Sequence, residues 1–215
     1  TGTLGKYVSR WDTKPMTYLK AKYLKPVVKR AEFAKHFTKS YKAKSDAKKI
    51  IVKGLTLLDA ALDLRGEVIP GKTTLVLTGE DDTILKYACA ILNCPLSIFY
   101  VKARYGSASY NGGISFTKEM INSIPDPRHS VNMATIAGLV DQILERKEAA
   151  HDADVSDLEQ KINASLYASY GLTMDEIKLI EGVVAQLPSN IDEELAAWWI
   201  NLTPARVASD LCVSG

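Results

Sequence analysis

The fold is decided by one stretch, residues 73–96, which reads TTLVLTGEDDTILKYACAILNCPL. Its first six residues, Thr73–Thr78, are aliphatic or β-branched and lie between Gly71 and Gly79, which is typical of a strand. Asp81 and Asp82 follow, and apolar residues then recur at helical spacing, with the acids at the start, where the helix dipole favours them. The stretch therefore predicts a strand followed by a core helix over residues 83–92.

Further elements are predicted on both sides of this stretch. The break at Asn93-Cys94-Pro95 is followed by a second predicted helix, residues 96–104. Upstream, residues 50–52 predict a short strand, and residues 55–64 predict either a strand or a short helix. The basic run Val27–Tyr41 predicts either a short amphipathic helix or a turn-rich segment.

The C-terminal half has the pattern of a helical bundle. Residues 131–150 and 155–170 carry apolar residues at helical spacing. A third helix, residues 174–186, is predicted by Thr173 and Glu176, which form a capping-box pattern at its start.

These patterns together predict an α+β fold. Residues 1–130 are expected to form a mixed α/β recognition domain with a small twisted sheet, and residues 131–215 a helical spacer or scaffold. The glycine- and polar-rich residues 105–113 predict a flexible loop, and a last helix is expected around residues 191–199.

The sequence carries no pattern of a secreted or membrane protein. It has no run of about 18 apolar residues and no signal-peptide pattern at its start, so we expect a cytoplasmic protein without a membrane partner. Since the first residue is Thr1 rather than Met, the chain is expected to be a piece of a longer protein. An odd number of cysteines argues against a disulfide framework, and Cys89, in an apolar helical run, is expected to be a buried structural thiol.

The net charge of +2 conceals a strong asymmetry. Residues 1–53 hold 13 Lys and 2 Arg against 3 acidic residues, a balance of +12, whereas residues 54–215 balance at −10. Such segregation indicates that the N-terminal part faces a polyanion, although a solvated lysine-rich surface gives the same composition.

Catalytic motifs give little support for an enzyme. The glycine fingerprint Gly-x-Gly-x-x-Gly is missing. Residues Gly66–Thr73 match the letters of a P-loop, Gly-x-x-x-x-Gly-Lys-Thr, but the residues that follow predict a strand rather than the helix that a P-loop opens, so an NTPase is not expected. The three histidines have no metal-ligand spacing, so zinc is not expected. A metal-dependent nuclease remains as an alternative, and it would use Asp126, Glu159 and Lys161.

The positive signals are typical of nucleic-acid binding. Lysines alternate with Tyr, Trp and Phe across residues 6–42, which suits phosphate contact combined with stacking or groove packing. The segment Lys102–Gly113 offers cations, phenols and an amide; Arg suits bidentate contact with guanine, and Asn suits adenine.

Several motifs occur in a familiar order. They are Ile50-Ile-Val-Lys-Gly-Leu55, Val68-Ile-Pro-Gly-Lys-Thr-Thr74, Ala90-Ile-Leu-Asn-Cys-Pro-Leu96 with Phe99-Tyr100, Gly112-Gly113, Asn122-Ser-Ile-Pro-Asp-Pro127 and Leu166-Tyr-Ala-Ser-Tyr-Gly-Leu-Thr173. Over about residues 20–185 the chain resembles the TaqI-like C-terminal specificity domain of adenine-specific DNA methyltransferases and type IIG restriction–modification enzymes. It departs from that family at Asn93-Cys94, where the family has Asn-Ser, and after Pro188.

The resemblance implies a division of labour. A catalytic module, in cis or in trans, would bind S-adenosylmethionine and methylate a flipped adenine, while this chain reads the double-stranded DNA target. The methyltransferase signatures Phe-x-Gly-x-Gly and Asn/Asp-Pro-Pro-Tyr are missing from the sequence. The chain is therefore expected to be a non-catalytic fragment without a cofactor of its own.

The expected DNA contacts fall into two groups. Phosphate contacts are expected from five cations of the N-terminal part: Lys29, Arg30, Lys35, Lys39 and Lys53. Contacts with bases or nearby phosphates are expected from two further segments: Lys72, Thr73 and Thr74, and Lys102, Arg104, Tyr105, Tyr110, Asn111, Gly112 and Gly113. A protein-interaction module is a further alternative, in which the lysines only keep the surface hydrated, and RNA binding is a weaker variant of the DNA hypothesis.

Overall fold

A computed structural model gives the fold of residues 3–186, apart from residues 19, 72, 107–108 and 111–112. For residues 17–18, 55–56, 109–110 and 113–114 it gives the backbone alone. The described helices are α1 (Arg30–His36), α2 (Lys39–Asp46), α3 (Asp82–Asn93), α4 (Pro95–Arg104), α5 (Lys118–Asn122), α6 (Met133–Ala149), α7 (Ser156–Ser169) and α8 (Met174–Ala185). The described strands are β1 (Met16–Tyr18), β2 (Ala21–Tyr23), β3 (Lys49–Lys53), β4 (Leu55–Thr56), β5 (Ala60–Asp63), β6 (Thr74–Thr78), β7 (Ser109–Tyr110) and β8 (Gly113–Ser115).

The main sheet is antiparallel and has the strand order β5-β3-β6. The central strand β3 buries Ile50, Ile51 and Val52, as the apolar run there requires. In β6, Leu77 pairs with Ile50 and Val76 with Ile51. The strands predicted over residues 50–52 and 73–78 are thus confirmed, and so is the α+β fold class.

A second, smaller sheet has the order β4-β8-β7. Residues 55–64 form strands, which was one of the two predicted alternatives, but they form two short strands, β4 and β5, that belong to different sheets. The loop predicted over residues 105–113 is partly wrong, because Ser109 pairs with Ile114 and Tyr110 with Gly113 in an antiparallel ladder.

Gly54 connects the two sheets. Its N–H donates to the Thr73 carbonyl at 3.0 Å, and its own carbonyl accepts from the Phe116 N–H at 2.9 Å. A Cβ on Gly54 would lie 2.4 Å from the Thr73 oxygen, so the close approach of the two backbones requires glycine.

Helix α3 is the central helix of the core. Asp81 caps its start by accepting from the Thr83 N–H at 2.7 Å and the Ile84 N–H at 3.1 Å. At its end the buried Asn93 side chain accepts from the Ala60 N–H at 3.0 Å and donates to the Ala60 carbonyl at 2.9 Å, which fixes the helix to β5. The helix predicted over residues 83–92 is confirmed.

The break predicted at Pro95 is a bend of 62° between α3 and α4. No single described helix has both the length and the apolar composition to cross a membrane; these two reach them only as a bent pair. Their apolar side chains lie mostly in the core.

The predicted helices of residues 131–186 are confirmed as α6, α7 and α8, and the capping box at Thr173 and Glu176 is present. One hydrophobic cluster runs from Ile50 in the sheet through α3 and α4 to Ile180 in α8. The core therefore continues across residue 130, where the sequence suggests a domain boundary. The helix predicted over residues 191–199 lies outside the described residues.

A buried ion pair ties α2 to the sheet. Lys49, at the start of β3, is fully buried and donates to Asp63 at 2.5 Å, to the Ser45 carbonyl at 2.7 Å and to the Ala47 carbonyl at 3.2 Å. The Asp63 carboxylate also accepts from the N–H groups of residues 67 and 68, at 3.1 and 2.8 Å. Both charges thus have the hydrogen-bond partners that burial demands.

We predict that Lys49→Met lowers the free energy of unfolding by about 3–5 kcal/mol, because it leaves the Asp63 carboxylate buried without its counter-charge. The double variant Lys49→Met/Asp63→Asn should lose about 1–3 kcal/mol less than the sum of the two single variants. Guanidinium titrations followed by circular dichroism measure all three values. Lys178→Met, in an exposed pair with Asp175, is the control, and additive losses would contradict the account.

The two described cysteines are predicted to be inert in the folded protein. Cys89 and Cys94 are buried and free, and burial raises the pKa of both thiols, that of Cys94 to about 12. Since the thiolate is the reactive form, N-ethylmaleimide should label neither residue in the native protein and both after unfolding. Peptide mass spectrometry locates the label, and labelling of Cys89 in the native protein would show that the core around α3 opens readily.

Candidate nucleic-acid interface

The cations of the N-terminal part are carried by a hairpin and two short helices. Strands β1 and β2 pair in register from Met16 with Tyr23 to Tyr18 with Ala21, and all of β2 is exposed. Helices α1 and α2 follow, where the sequence predicts one amphipathic helix or a turn-rich segment. The chain between them is extended at Phe37 and Thr38, and Thr38 caps α2 by accepting from the Tyr41 N–H at 3.3 Å.

Aromatic side chains hold the two helices together. The ring centroids of Phe33, Phe37 and Tyr41 lie 4.7 to 5.7 Å apart, with tilted ring planes, a separation that is favourable for aromatic pairs. The Tyr41 hydroxyl also donates to the Pro70 carbonyl. Because Phe33 is buried and Phe37 half exposed, the cluster supports the helices and also presents an apolar surface to solvent.

Further contacts hold this part of the chain together, and two of them, Asp12 with His151 and Arg30 with Gly66, fix it to the body of the protein. The Trp11 indole N–H donates to the Pro26 carbonyl at 2.7 Å, and Asp12 lies 2.9 Å from the Nε2 atom of His151, in the turn between α6 and α7. Arg30 donates to Asp46 at 3.1 Å and to the Gly66 carbonyl at 3.4 Å.

The ion pairs divide the fifteen cations of residues 1–53 into two sets. Six of them pair with acidic residues: Lys6, Arg30, Lys35, Lys48, Lys49 and Lys53. The other nine form no ion pair with any residue that the structure describes, and they are Arg10, Lys14, Lys20, Lys22, Lys25, Lys29, Lys39, Lys42 and Lys44. All nine lie between residues 10 and 44, and we call this stretch the basic segment.

The acidic residues of the same region leave the basic segment uncompensated. Residues 1–53 contain three acids, and Asp12, Glu32 and Asp46 each already contact a cation or a histidine. The basic segment therefore keeps a dense positive charge on exposed side chains, with only Lys42 half-buried among the nine.

The five cations expected to contact phosphates differ in their environments. Lys29 and Lys39 are exposed and belong to the unpaired set. Arg30 binds Asp46 and Gly66, Lys35 lies 2.8 Å from Glu32, and the half-buried Lys53 lies 3.1 Å from Asp59. These three cations have structural partners that would have to be exchanged for a phosphate.

The second group of expected contacts surrounds the junction of the two sheets. Thr73 lies in an exposed turn beside Gly54, and the Thr74 hydroxyl donates to the Gly71 carbonyl at 2.6 Å. Tyr110 and Gly113 belong to the β7–β8 ladder. The remaining residues here, Lys72, Asn111 and Gly112, lie outside the described part of the chain.

Helix α4 separates its two expected contacts. Lys102 is buried, and burial lowers the pKa of its ammonium group, so in this conformation its side chain is not available to DNA. Arg104 is exposed at the end of the helix, with its guanidinium 5.7 Å from the centre of the Tyr105 ring. A hydrogen bond to the Tyr105 hydroxyl raises the pKa of Arg104, which keeps this cation charged and oriented.

The residues of the nuclease alternative lie in separate networks. Asp126 accepts from the Tyr87 hydroxyl at 2.9 Å and pairs with Arg128, whereas Glu159 lies 3.5 Å from Lys6. Across the described residues, no group of three His, Cys, Asp or Glu side chains could hold a metal ion.

In comparisons with known proteins, no protein-family model matches this chain, and no curated protein matches it significantly. The resemblance to TaqI-like specificity domains therefore stays a prediction from the sequence motifs.

Proposed function

We propose that this chain binds double-stranded DNA through the basic segment and acts as the target recognition domain of an adenine-N6 DNA methyltransferase. The observation that carries the proposal is the set of nine cations without described ion-pair partners, all within 35 residues of chain. The S-adenosylmethionine-dependent step is assigned to a separate catalytic module, and no chemical step is assigned to this chain.

The division of the cations into paired and unpaired sets supports a surface that binds a polyanion rather than one whose lysines only keep it hydrated. Lysines that only maintain hydration can pair with neighbouring acids, as Lys35 does with Glu32. The basic segment instead concentrates unpaired charge on the β1–β2 hairpin, on α2 and on the residues before and between these elements. Each phosphate that it neutralises would release condensed counterions from DNA, and this release drives binding at low salt.

Base reading is assigned to the second group of residues, at the junction of the sheets. Arg104 supports this assignment because its guanidinium is exposed, charged and oriented by Tyr105, and an oriented guanidinium can make bidentate contact with a guanine. The turn at Thr73 lies at the junction itself, because the Thr73 carbonyl accepts from the Gly54 N–H. Phosphate contacts would set the register, and these residues would supply the sequence preference.

One observation favours protein binding as a second candidate function. Leu24, Val27 and Val28, in the middle of the basic segment, are 59, 82 and 60% exposed. Neighbouring exposed apolar side chains are typical of protein contacts, and here they would face the catalytic module. If protein binding were the only function of this surface, the chain would show no salt-dependent binding to DNA.

We predict that the chain binds a random duplex pool with an affinity that falls about a thousandfold between about 50 mM and 200 mM salt, as expected for about six phosphate contacts. Lys22→Ala/Lys39→Ala should weaken binding to every sequence and reduce the slope of log K against log salt by about 2. Fluorescence anisotropy over a salt series measures both quantities.

The matched control is Lys161→Ala/Lys178→Ala, which removes the same charge from exposed positions on α7 and α8. Its salt slope should equal that of the unmodified chain. If both double variants lost the same DNA affinity, net charge alone would govern binding. If the unmodified chain did not bind DNA at low salt, the protein-interaction function would be favoured.

A further inference from the structure

Strand β6 has one edge that no described strand covers. It is the outer strand of the main sheet, next to β3 alone. The opposite edge strand, β5, is covered in part, because the Tyr7 N–H donates to the Ala60 carbonyl and the Leu62 N–H donates to the Tyr7 carbonyl.

The register shows which backbone groups of β6 face outwards. Since Ala60 and Leu62 point towards Tyr7, the β5 residues that bond to β3 are Ala61 and Asp63, opposite Ile51 and Lys49. The intervening β3 residues therefore bond to β6, in the pairs Ile50 with Leu77 and Val52 with Leu75. It follows that the N–H and C=O groups of Val76 and Thr78 point away from the sheet.

These outward groups lack partners in the described part of the protein. Neither Val76 nor Thr78 has an outward backbone hydrogen bond to a described residue. The two positions thus present donors and acceptors at two-residue spacing, which is the pattern that an added antiparallel strand would match.

A groove of about 380 Å³ is lined by residues of this strand. Helix α2 forms one wall with Tyr41 and Lys44, and α5 forms the other with Lys118 and Asn122. Residues 74–77 of β6 form its floor. Because Val76, with its outward backbone groups, lines this groove together with both helices, the groove offers space for an extended chain at the open strand.

The groove is electropositive. Its charged lining residues are Lys44 and Lys118, and no carboxylate is among the described residues that line it. Neither lysine forms an ion pair with a described residue. Two copies of this chain that paired along β6 would bring these lysines together, so the charge disfavours self-association and favours an acidic partner.

We propose that the β6 edge binds an extended acidic peptide segment of a partner protein, which adds a fourth strand to the main sheet. The backbone of the peptide would bond to Val76 and Thr78, and its carboxylates would meet Lys44 and Lys118. A nucleic-acid strand fits this edge less well, because phosphates only accept hydrogen bonds and would face the outward carbonyls. This partner site shares Lys44 with the basic segment and Thr74 with the second group of expected DNA contacts, but the backbone pairing with Val76 and Thr78 does not require DNA binding.

The test uses the whole chain and a displayed library of random heptapeptides. Peptides are selected for binding to the unmodified chain and, in parallel, to the variant Val76→Pro. This variant lacks the outward N–H of residue 76 but keeps every hydrogen bond within the sheet, so it should fold. We expect peptides that are rich in β-branched residues and carry Asp or Glu. Synthetic copies should bind at least about tenfold more weakly to Val76→Pro, the effect of a lost backbone hydrogen bond of about 1.4 kcal/mol.

Charge reversal and DNA supply the remaining arms of the test. The double variant Lys44→Glu/Lys118→Glu should bind the acidic peptides about tenfold or more weakly than the unmodified chain does. Val76→Pro should have the same DNA affinity and the same thermal midpoint of unfolding as the unmodified chain. The proposal is overturned if no peptides are enriched over Val76→Pro, or if the enriched peptides are not acidic. Loss of DNA affinity in a folded Val76→Pro would assign the edge to nucleic acid instead.

Discussion

The buried ion pair between Lys49 and Asp63 is the contact on which the rest of the arrangement depends. Through one ammonium group it holds the last carbonyls of α2, the start of β3 and the end of β5. The carboxylate in turn orders the turn after β5 by accepting two backbone N–H groups. Loss of one partner would leave a buried charge, so the helices of the basic segment and the sheet are expected to be stable only together.

The same division of charge explains how a nearly neutral chain can present a strongly basic segment. Acidic residues in or just before β5, in α3 and in α7 neutralise Lys6, Lys48, Lys49 and Lys53, and these pairs hold the fold together. The nine unpaired cations of residues 10–44 outnumber the acids of that region, so they keep their charge for a partner. The cations that hold the fold together and those available for binding thus differ in whether an acidic side chain lies within reach.

Local patterns predicted most of the fold. The strand over residues 73–78, the helix over residues 83–92 and the Thr173 capping box were readable because short-range hydrogen bonds and periodicity determine them. The β7–β8 pairing was missed although Asn111-Gly112 is a hairpin signal, since the glycine-rich composition pointed to a loop.

The candidate site was less predictable, because burial and pairing depend on distant residues. Lys102 reads as an exposed cation, but it lies on the buried face of α4. Arg30 reads as a phosphate contact, but Asp46 and Gly66 occupy its guanidinium. The open edge of β6 depends on strand order, which the sequence alone did not reveal. The Lys35–Glu32 pair was readable, because the two residues are three apart on one helix.

The most direct test of the central claim is hydrogen–deuterium exchange of this chain with and without a DNA duplex at low salt. The account predicts that DNA slows exchange in peptides from the basic segment, residues 10–44, and in those around Thr73 and Arg104, while peptides from α6, α7 and α8 are unchanged. Protection confined to α6–α8, or no protection at a saturating DNA concentration, would contradict the assignment of the basic segment as a DNA-binding surface.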